Sequence, residues 1–300
     1  MCDDVDLKNF ASRGPIAAKF DRRRFAALTA TAGIGATLTA CATAGESATG
    51  GASALVKSDV TITTADGTMD AFFIHPGSGK SPAVIIWPDI AGLRPAFKMM
   101  AERLAASGYA VLVANPYYRH SKAVQFTDFA DFQAKGGFQA VGPWRAALDS
   151  AAVGRDAASL VAWLDQQPAV NTRKGIGNQG YCMGGPFTVW SAAAVPKRIK
   201  AAASFHGGGL VGDAETAPIN VFDDLANDAH LLIAIAQNDD AKAPDEKTKL
   251  IAEAADEKVA AEVEVYAGDH GWTVYDSPVY NEPAAEKAWT RLLATYKAAL

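Results

Sequence analysis

Gly180-Tyr181-Cys182-Met183-Gly184-Gly185 decides how this chain is to be read. Lys174 to Asn178 before it can be read as a short strand, and Pro186 to Val195 after it as a helix. A strand that reverses sharply into a helix needs glycine on both sides of the turn, because the two backbones approach too closely for a β-carbon. The residue at the tip is forced out of the sheet. It sits at a helix N-terminus, where partial positive charge favours a thiolate over a thiol. The spacing is that of the G-x-S-x-G nucleophile elbow, with cysteine in the place of serine.

Working outward, strands alternate with helices from Val56 onward. Val60 to Thr63 and Met69 to Ile74 flank Ala65-Asp66-Gly67 and predict a hairpin. Ala83 to Trp87 is a continuous apolar run, as in a strand buried on both faces, and Tyr109 to Ala114 is the next. Pro95 to Ala106 has apolar residues at helical spacing (Phe97, Met100, Leu104), with proline in the first turn and Gly108 just past the end. Further strands are expected at Ile199 to Phe205, Leu231 to Ala236 and Glu262 to Tyr266, and helices at Asp156 to Gln166, Pro244 to Glu257 and Glu282 to Ala299. This order predicts an α/β fold, a mostly parallel central sheet with helices on both faces, in one catalytic domain over 56–300. Tyr117 to Ser150 breaks the rhythm with Phe126, Phe129, Phe132, Phe138 and Trp144. It reads either as a lid over a pocket or as packed helices completing the core.

Of the 300 residues 49% are apolar, enough for a substantial core, and the formal charge of −5 with no basic cluster beyond the first part of the chain argues against a nucleic-acid partner. The N-terminus has an address of its own. Arg22-Arg23-Arg24-Phe25 precedes a small-residue apolar stretch, Ala26 to Ala40, which reads as a twin-arginine export signal over 1–40. Leu38-Thr39-Ala40-Cys41 resembles a bacterial lipobox, with Cys41 as the lipidated first residue; a competing cut lies after Ala44. Residues 41–55 then form a flexible Gly/Ser/Ala/Thr tether, and the expected location is periplasmic, anchored to the membrane through Cys41. Of the three cysteines, Cys182 would remain as the one unmodified thiol in an oxidising compartment, an odd place for a free cysteine without a task.

A cysteine nucleophile needs a base, and the base needs a partner that holds its ring. His270 lies in Gly268-Asp269-His270-Gly271-Trp272, after the last strand and before the C-terminal helix, and is the preferred base. His206, after another buried strand, is the second candidate and a possible pocket wall. The acid is expected in Asp239-Asp240 after the Leu231 to Ala236 strand, with Asp240 preferred over Asp239. The backbone N–H groups of Met183 and Ile90 would form the oxyanion hole, one following the nucleophile and one from the loop after an earlier strand. No clustered ligand set and no phosphate loop is seen, so no metal and no cofactor is expected.

The order Cys182, Asp240, His270, with the elbow, the Asp240-x-x-x-Pro244 loop, His270-Gly271 and Ala284 to Arg291, resembles the dienelactone hydrolase family over roughly residues 58 to 300. The resemblance implies an α/β-hydrolase fold and a hydrolase of carboxylic esters or lactones that works through a Cys-His-Asp triad and a thioester intermediate on a small-molecule substrate. It also implies a role for Trp87-Pro88-Asp89-Ile90-Ala91-Gly92-Leu93. Family members usually carry glutamate at the place of Asp89, where the carboxylate contacts the resting cysteine and tunes the thiol. Two arginines hold the substrate carboxylate in dienelactone-cleaving members. One corresponds to the region of Tyr118-Arg119; at the other, shortly after the histidine, this chain has Trp272-Thr273-Val274. Arg119, Tyr118, His206 and Trp272 are therefore the expected substrate-binding residues. Two other functions fit the residues: a binding lipoprotein that kept the fold without the chemistry, and a thiol-based acyltransferase or redox enzyme.

Overall fold

A computed structural model of the chain describes residues 54–300. The expected export signal, the lipidation site Cys41 and nearly all of the tether lie outside the described residues.

The domain begins with the hairpin, β1 (Leu55–Thr64) and β2 (Gly67–Pro76). The strands β3 (Ala83–Trp87) and β4 (Ala110–Ala114) follow, joined by helix α1 (Pro95–Ala106). Then come β5 (Ile176–Tyr181), α6 (Gly184–Ala194), β6 (Ile199–Phe205), β7 (His230–Ala236), β8 (Ala260–Tyr266) and the C-terminal helix α9 (Glu282–Ala299). The eight strands form one sheet in the order β1-β2-β4-β3-β5-β6-β7-β8. The pairs β1/β2 and β2/β4 are antiparallel, and every pair from β4 to β8 is parallel. The topology is that of an α/β-hydrolase sheet, and all residues of β3, β4 and β5 are buried.

Alternation along each strand divides the core in two. Val111 and Val113 of β4 face α1 and α9, packing with Phe97, Leu104, Leu292 and Tyr296. Leu112 and Ala114 face the other layer, with Phe187 of α6 and with Val153 and Leu160 of helix α5 (Ser150–Leu164). The long helix thus begins six residues earlier than the apolar spacing indicated. Asp149 sets that start, its side chain accepting a hydrogen bond from Ala152 N.

The aromatic stretch forms three short helices, α2 (Phe129–Ala134), α3 (Gly137–Ala140) and α4 (Gly142–Arg145). Phe126, Phe129 and Phe132 are buried, with Phe138 packed edge-on against Phe132 at 4.6 Å between ring centroids. These contacts make the segment part of the core cluster. Gln237 to Asp240, expected as a loop, is instead the start of helix α7 (Gln237–Lys242), which precedes α8 (Glu246–Asp256).

Candidate active site

Cys182 occupies the tip of the β5–α6 turn in a left-handed conformation, φ 52°. The turn closes as tightly as the glycines suggest. A β-carbon on Gly180 would fall 1.9 Å from the carbonyl oxygen of Gly184, and one on Gly184 would fall 2.5 Å from that of Trp87. The second approach sets the loop after β3 beside the elbow, so Ile90 and Met183 run next to each other. Among the described residues neither backbone N–H is matched to an acceptor. Tyr117 fixes their spacing: its hydroxyl donates to Ile90 O at 2.7 Å and touches Met183 Sδ at 3.3 Å. Burial holds the Tyr117 phenol well above its ordinary pKa, so the donor stays protonated. Trp144 of α4 packs on the same ring at 5.4 Å, so the aromatic segment leans on this part of the site.

His270 follows β8. Its Nδ1 lies 2.6 Å from Asp239 Oδ2, and its backbone N–H donates to Asn238 Oδ1 at 2.8 Å. Gln237 completes the lacing, its N–H donating to Gly268 O at 3.0 Å and its side chain to Asp269 Oδ1 at 3.1 Å. The imidazole is thus held by Asp239, not by the preferred Asp240. The reason is the helix: successive residues of an α-helix point about 100° apart, so one of two adjacent aspartates faces the histidine and the other cannot. Asp240 turns toward Lys247, 3.9 Å away. Asn238 carried no sequence signal beyond its place in the Gln237-Asn238-Asp239-Asp240 run.

His206 joins the two halves of the site. Its Nδ1 lies 3.1 Å from Cys182 N, and its ring centroid lies 5.0 Å from that of His270. The elbow, His206, His270 and Asp239 are therefore contiguous at the C-terminal ends of β5, β6, β8 and β7. The dienelactone hydrolase family model matches residues 69–300, and the matched span takes in every one of these elements.

The chain belongs to the dienelactone hydrolase family. As a member of it, the protein is a hydrolase of the ester- and lactone-cleaving kind. A Synechocystis sp. protein named "Putative carboxymethylenebutenolidase" is 27% identical over 228 residues, covering 74% of this chain and 88% of the relative. A Klebsiella pneumoniae structure described as a "Putative Dienelactone Hydrolase" superposes with a TM-score of 0.66 at 22% identity, covering 81% of this chain and 99% of that one. A dienelactone hydrolase-like promiscuous phosphotriesterase from metagenomic libraries superposes with a TM-score of 0.64 at 21% identity, covering 82% and 99%. These two structural likenesses bear on the fold.

In this dienelactone hydrolase family member, four of the side chains expected in the site have partners within the fold. Asp89 is tied to a buried arginine. Its Oδ1 accepts from Arg94 Nη1 at 2.6 Å and from Ala91 N at 2.9 Å, and its Oδ2 from Arg94 Nη2 at 2.9 Å. Arg94, with no exposed surface, also binds Asp276 through Nε at 2.7 Å and Nη2 at 2.8 Å. Burial works against its charge, but Asp89 first and then Asp276 outweigh burial and raise the guanidinium pKa further. Arg119 is engaged as well: it holds Asp156 at 2.8 and 2.9 Å and Asp66 at 2.6 Å. Tyr118 donates to the same Asp156 at 2.7 Å. Together they tie the β1–β2 hairpin to α5. Trp272 is fully buried and stacks on Tyr266 with centroids 4.9 Å apart, so it packs under the site and not at its mouth. Arg94, Asp276, Tyr117 and Thr273 belong to the site's frame, and sequence reasoning did not single them out.

Proposed function

We propose that this protein cleaves carboxylic esters or lactones by thiol catalysis, with Cys182 as nucleophile, His270 as base and Asp239 as the acid that orients it. The observation that carries the reading is the 2.6 Å contact between His270 Nδ1 and Asp239, in a loop packed against the imidazole that binds the Cys182 amide. With Nδ1–H donated to Asp239, Nε2 of His270 keeps its lone pair for the thiol proton. Cys182 Sγ attacks the substrate carbonyl, and the oxyanion is met by the N–H groups of Ile90 and Met183. Collapse of this intermediate breaks the ester C–O bond and the His270 proton goes to the leaving oxygen. The acyl group remains on sulfur as a thioester. A water molecule, deprotonated by His270, then attacks the thioester, releasing the acid and returning the proton to sulfur. Esters and enol lactones suit this route better than amides, because a thiolate leaves more readily than an amine and the amide intermediate would revert.

The test is Cys182→Ala, which removes p-nitrophenyl acetate turnover while the circular dichroism spectrum stays that of the parent. Brief exposure of the parent to substrate and acid quenching gives a mass increase of one acyl group on the peptide carrying Cys182. Undiminished turnover in the variant overturns the assignment. We also infer that the chain is exported through its twin-arginine signal and lipidated on Cys41. The lipobox-like Leu38 to Cys41 supports this. A mature mass that starts at Gly45 without lipid would refute lipidation and leave export standing.

A further inference from the structure

The proposed mechanism uses His270 and leaves His206 without a task, although His206 is the more constrained of the two. Among the described residues three that are not glycine have a positive φ: Cys182, Lys258 and His206, at 41°. Gly207, Gly208 and Gly209 follow at once, so a residue suited to left-handed backbone was at hand, yet this position carries a large side chain. That side chain is 1% exposed, and its backbone N–H donates to Ala234 O at 2.8 Å.

Both ring nitrogens are engaged. Nδ1 lies 3.1 Å from Cys182 N, a donor, so Nδ1 must present its lone pair. The proton is then on Nε2, which donates to Thr273 Oγ1 at 2.9 Å. The Cys182 amide is shared, since it also reaches Phe205 O at 3.0 Å. A further proton on the ring would face the amide hydrogen of Cys182 and the neighbouring His270. The titratable groups around His206 are Cys182 on the elbow, His270 with Asp239 behind it, and Tyr181 at 6.1 Å between ring centroids. Burial first, and then His270, hold the His206 pKa well below that of an ordinary histidine. His206 is therefore not a second base.

We propose that His206 is a positioning residue: Nδ1 holds the amide of the nucleophile and Nε2–H holds the loop of the base, so that thiol and imidazole stay in register as one unit. Thr273 lies three residues beyond His270, and Cys182 is the residue whose sulfur His270 must reach. The kinetic side of this proposal rests on Cys182 and His270 as nucleophile and base; the protonation state of His206 does not.

Two variants and one spectrum test it in the full chain. His206→Phe keeps a ring without nitrogens. His206→Asn tolerates left-handed backbone and offers an oxygen to the Cys182 amide. The Phe variant is expected to lose about ten- to a hundredfold in kcat with KM within about threefold, the signature of misplaced reacting groups. The Asn variant is expected to recover most of that loss. Imidazole ¹⁵N spectra are expected to show His206 still as the neutral Nε2–H tautomer at about pH 6.5, where an ordinary histidine is half protonated. Parental kcat in a folded Phe variant, an Asn variant no better than Phe, or a His206 that is half protonated at about pH 6.5 overturns the proposal. Should the Phe variant fail to fold, the Asn variant and the spectrum decide. If Cys182→Ala stays active, the mechanism fails while the tautomer assignment stands on its own spectrum.

Discussion

His270 with Asp239 is a histidine–carboxylate contact and Arg94 with Asp89 and Asp276 a cation–carboxylate one, both at the C-terminal end of the same sheet. The first is part-exposed, with side-chain exposures of 11% and 26%, and its imidazole carries charge only when protonated. The second has a cation with no exposed surface and a charge that is permanent. A proton acceptor must change charge during a reaction, so its partner has to orient it without locking the charge in place. A guanidinium cannot take part in proton transfer, but it can hold three loops together. Arg94 does so. Asp89 and Ala91 flank the Ile90 amide, Asp276 lies six residues beyond His270, and Asp276 Oδ2 also accepts from Phe129 N at 3.0 Å. The difference separates chemistry from positioning, and each pair can be broken to see whether it behaves accordingly.

The largest effect is expected on the histidine side. Asp239→Asn keeps the shape of the side chain and removes the charge that favours His270 Nδ1–H. A fall in kcat of about 10³–10⁴-fold is expected, with thermal stability near that of the parent. Comparing kcat with the melting temperature checks it, and a variant that loses stability but not rate would place Asp239 with the structural pairs.

Arg94→Met comes next, and the loss moves from rate to stability. The variant leaves Asp89 and Asp276 without their cation; Asp89 is 4% exposed. Removing one partner of a buried ion pair costs about 3–5 kcal/mol. Urea denaturation should show a lowered midpoint. At temperatures where the variant is folded, kcat should fall as well, since the loop carrying Ile90 loses its anchor. Arg119→Met should be milder, about 1–3 kcal/mol, because Asp156 keeps its hydrogen bond from Tyr118. Its kcat and KM should match the parent's. A raised KM for acidic substrates alone would restore Arg119 to the site.

These two arginines also show what a sequence can reveal. The elbow, the parallel sheet and the place of His270 after the last strand were legible because local rules produce them: glycine flanking a turn, apolar runs, and the position of a loop after a strand. Cys182 had to be left-handed because of residues within four positions of it. The ion pairs of Asp89 and Arg119 were not legible: Asp89 has Arg94 five residues on, but what else holds Arg94, and what holds Arg119, is set by tertiary packing. Asp276 and Asp66 lie far along the chain from the arginines they bind, and no spacing rule links them. Trp272 was placed near the right loop but on the wrong side of it, since exposure at one residue of a loop depends on what packs below. His206 was correctly set at a strand end, while its bond to the Cys182 amide depends on a left-handed turn that only the folded chain displays.

The smallest effect is expected at Asp240, and it is the sharpest test of the comparison because its neighbour should give the largest. Asp239 and Asp240 share composition, charge and the first turn of α7, and any helix-dipole contribution is common to both. They differ in direction alone. Asp239 meets His270, whereas Asp240 stands 3.9 Å from Lys247, too far for a strong contact. Asp240→Asn should leave kcat within about twofold and should not lower stability, because Oδ1 of Asp240 is buried without a hydrogen-bond partner and the substitution breaks no hydrogen bond. If removal of general negative charge near His270 were what mattered, the two asparagine variants would fall together. If a single oriented carboxylate matters, they differ by roughly three orders of magnitude across one peptide bond. Measuring kcat for both on p-nitrophenyl acetate separates these cases, and equal losses would return the acid to the pair as a whole.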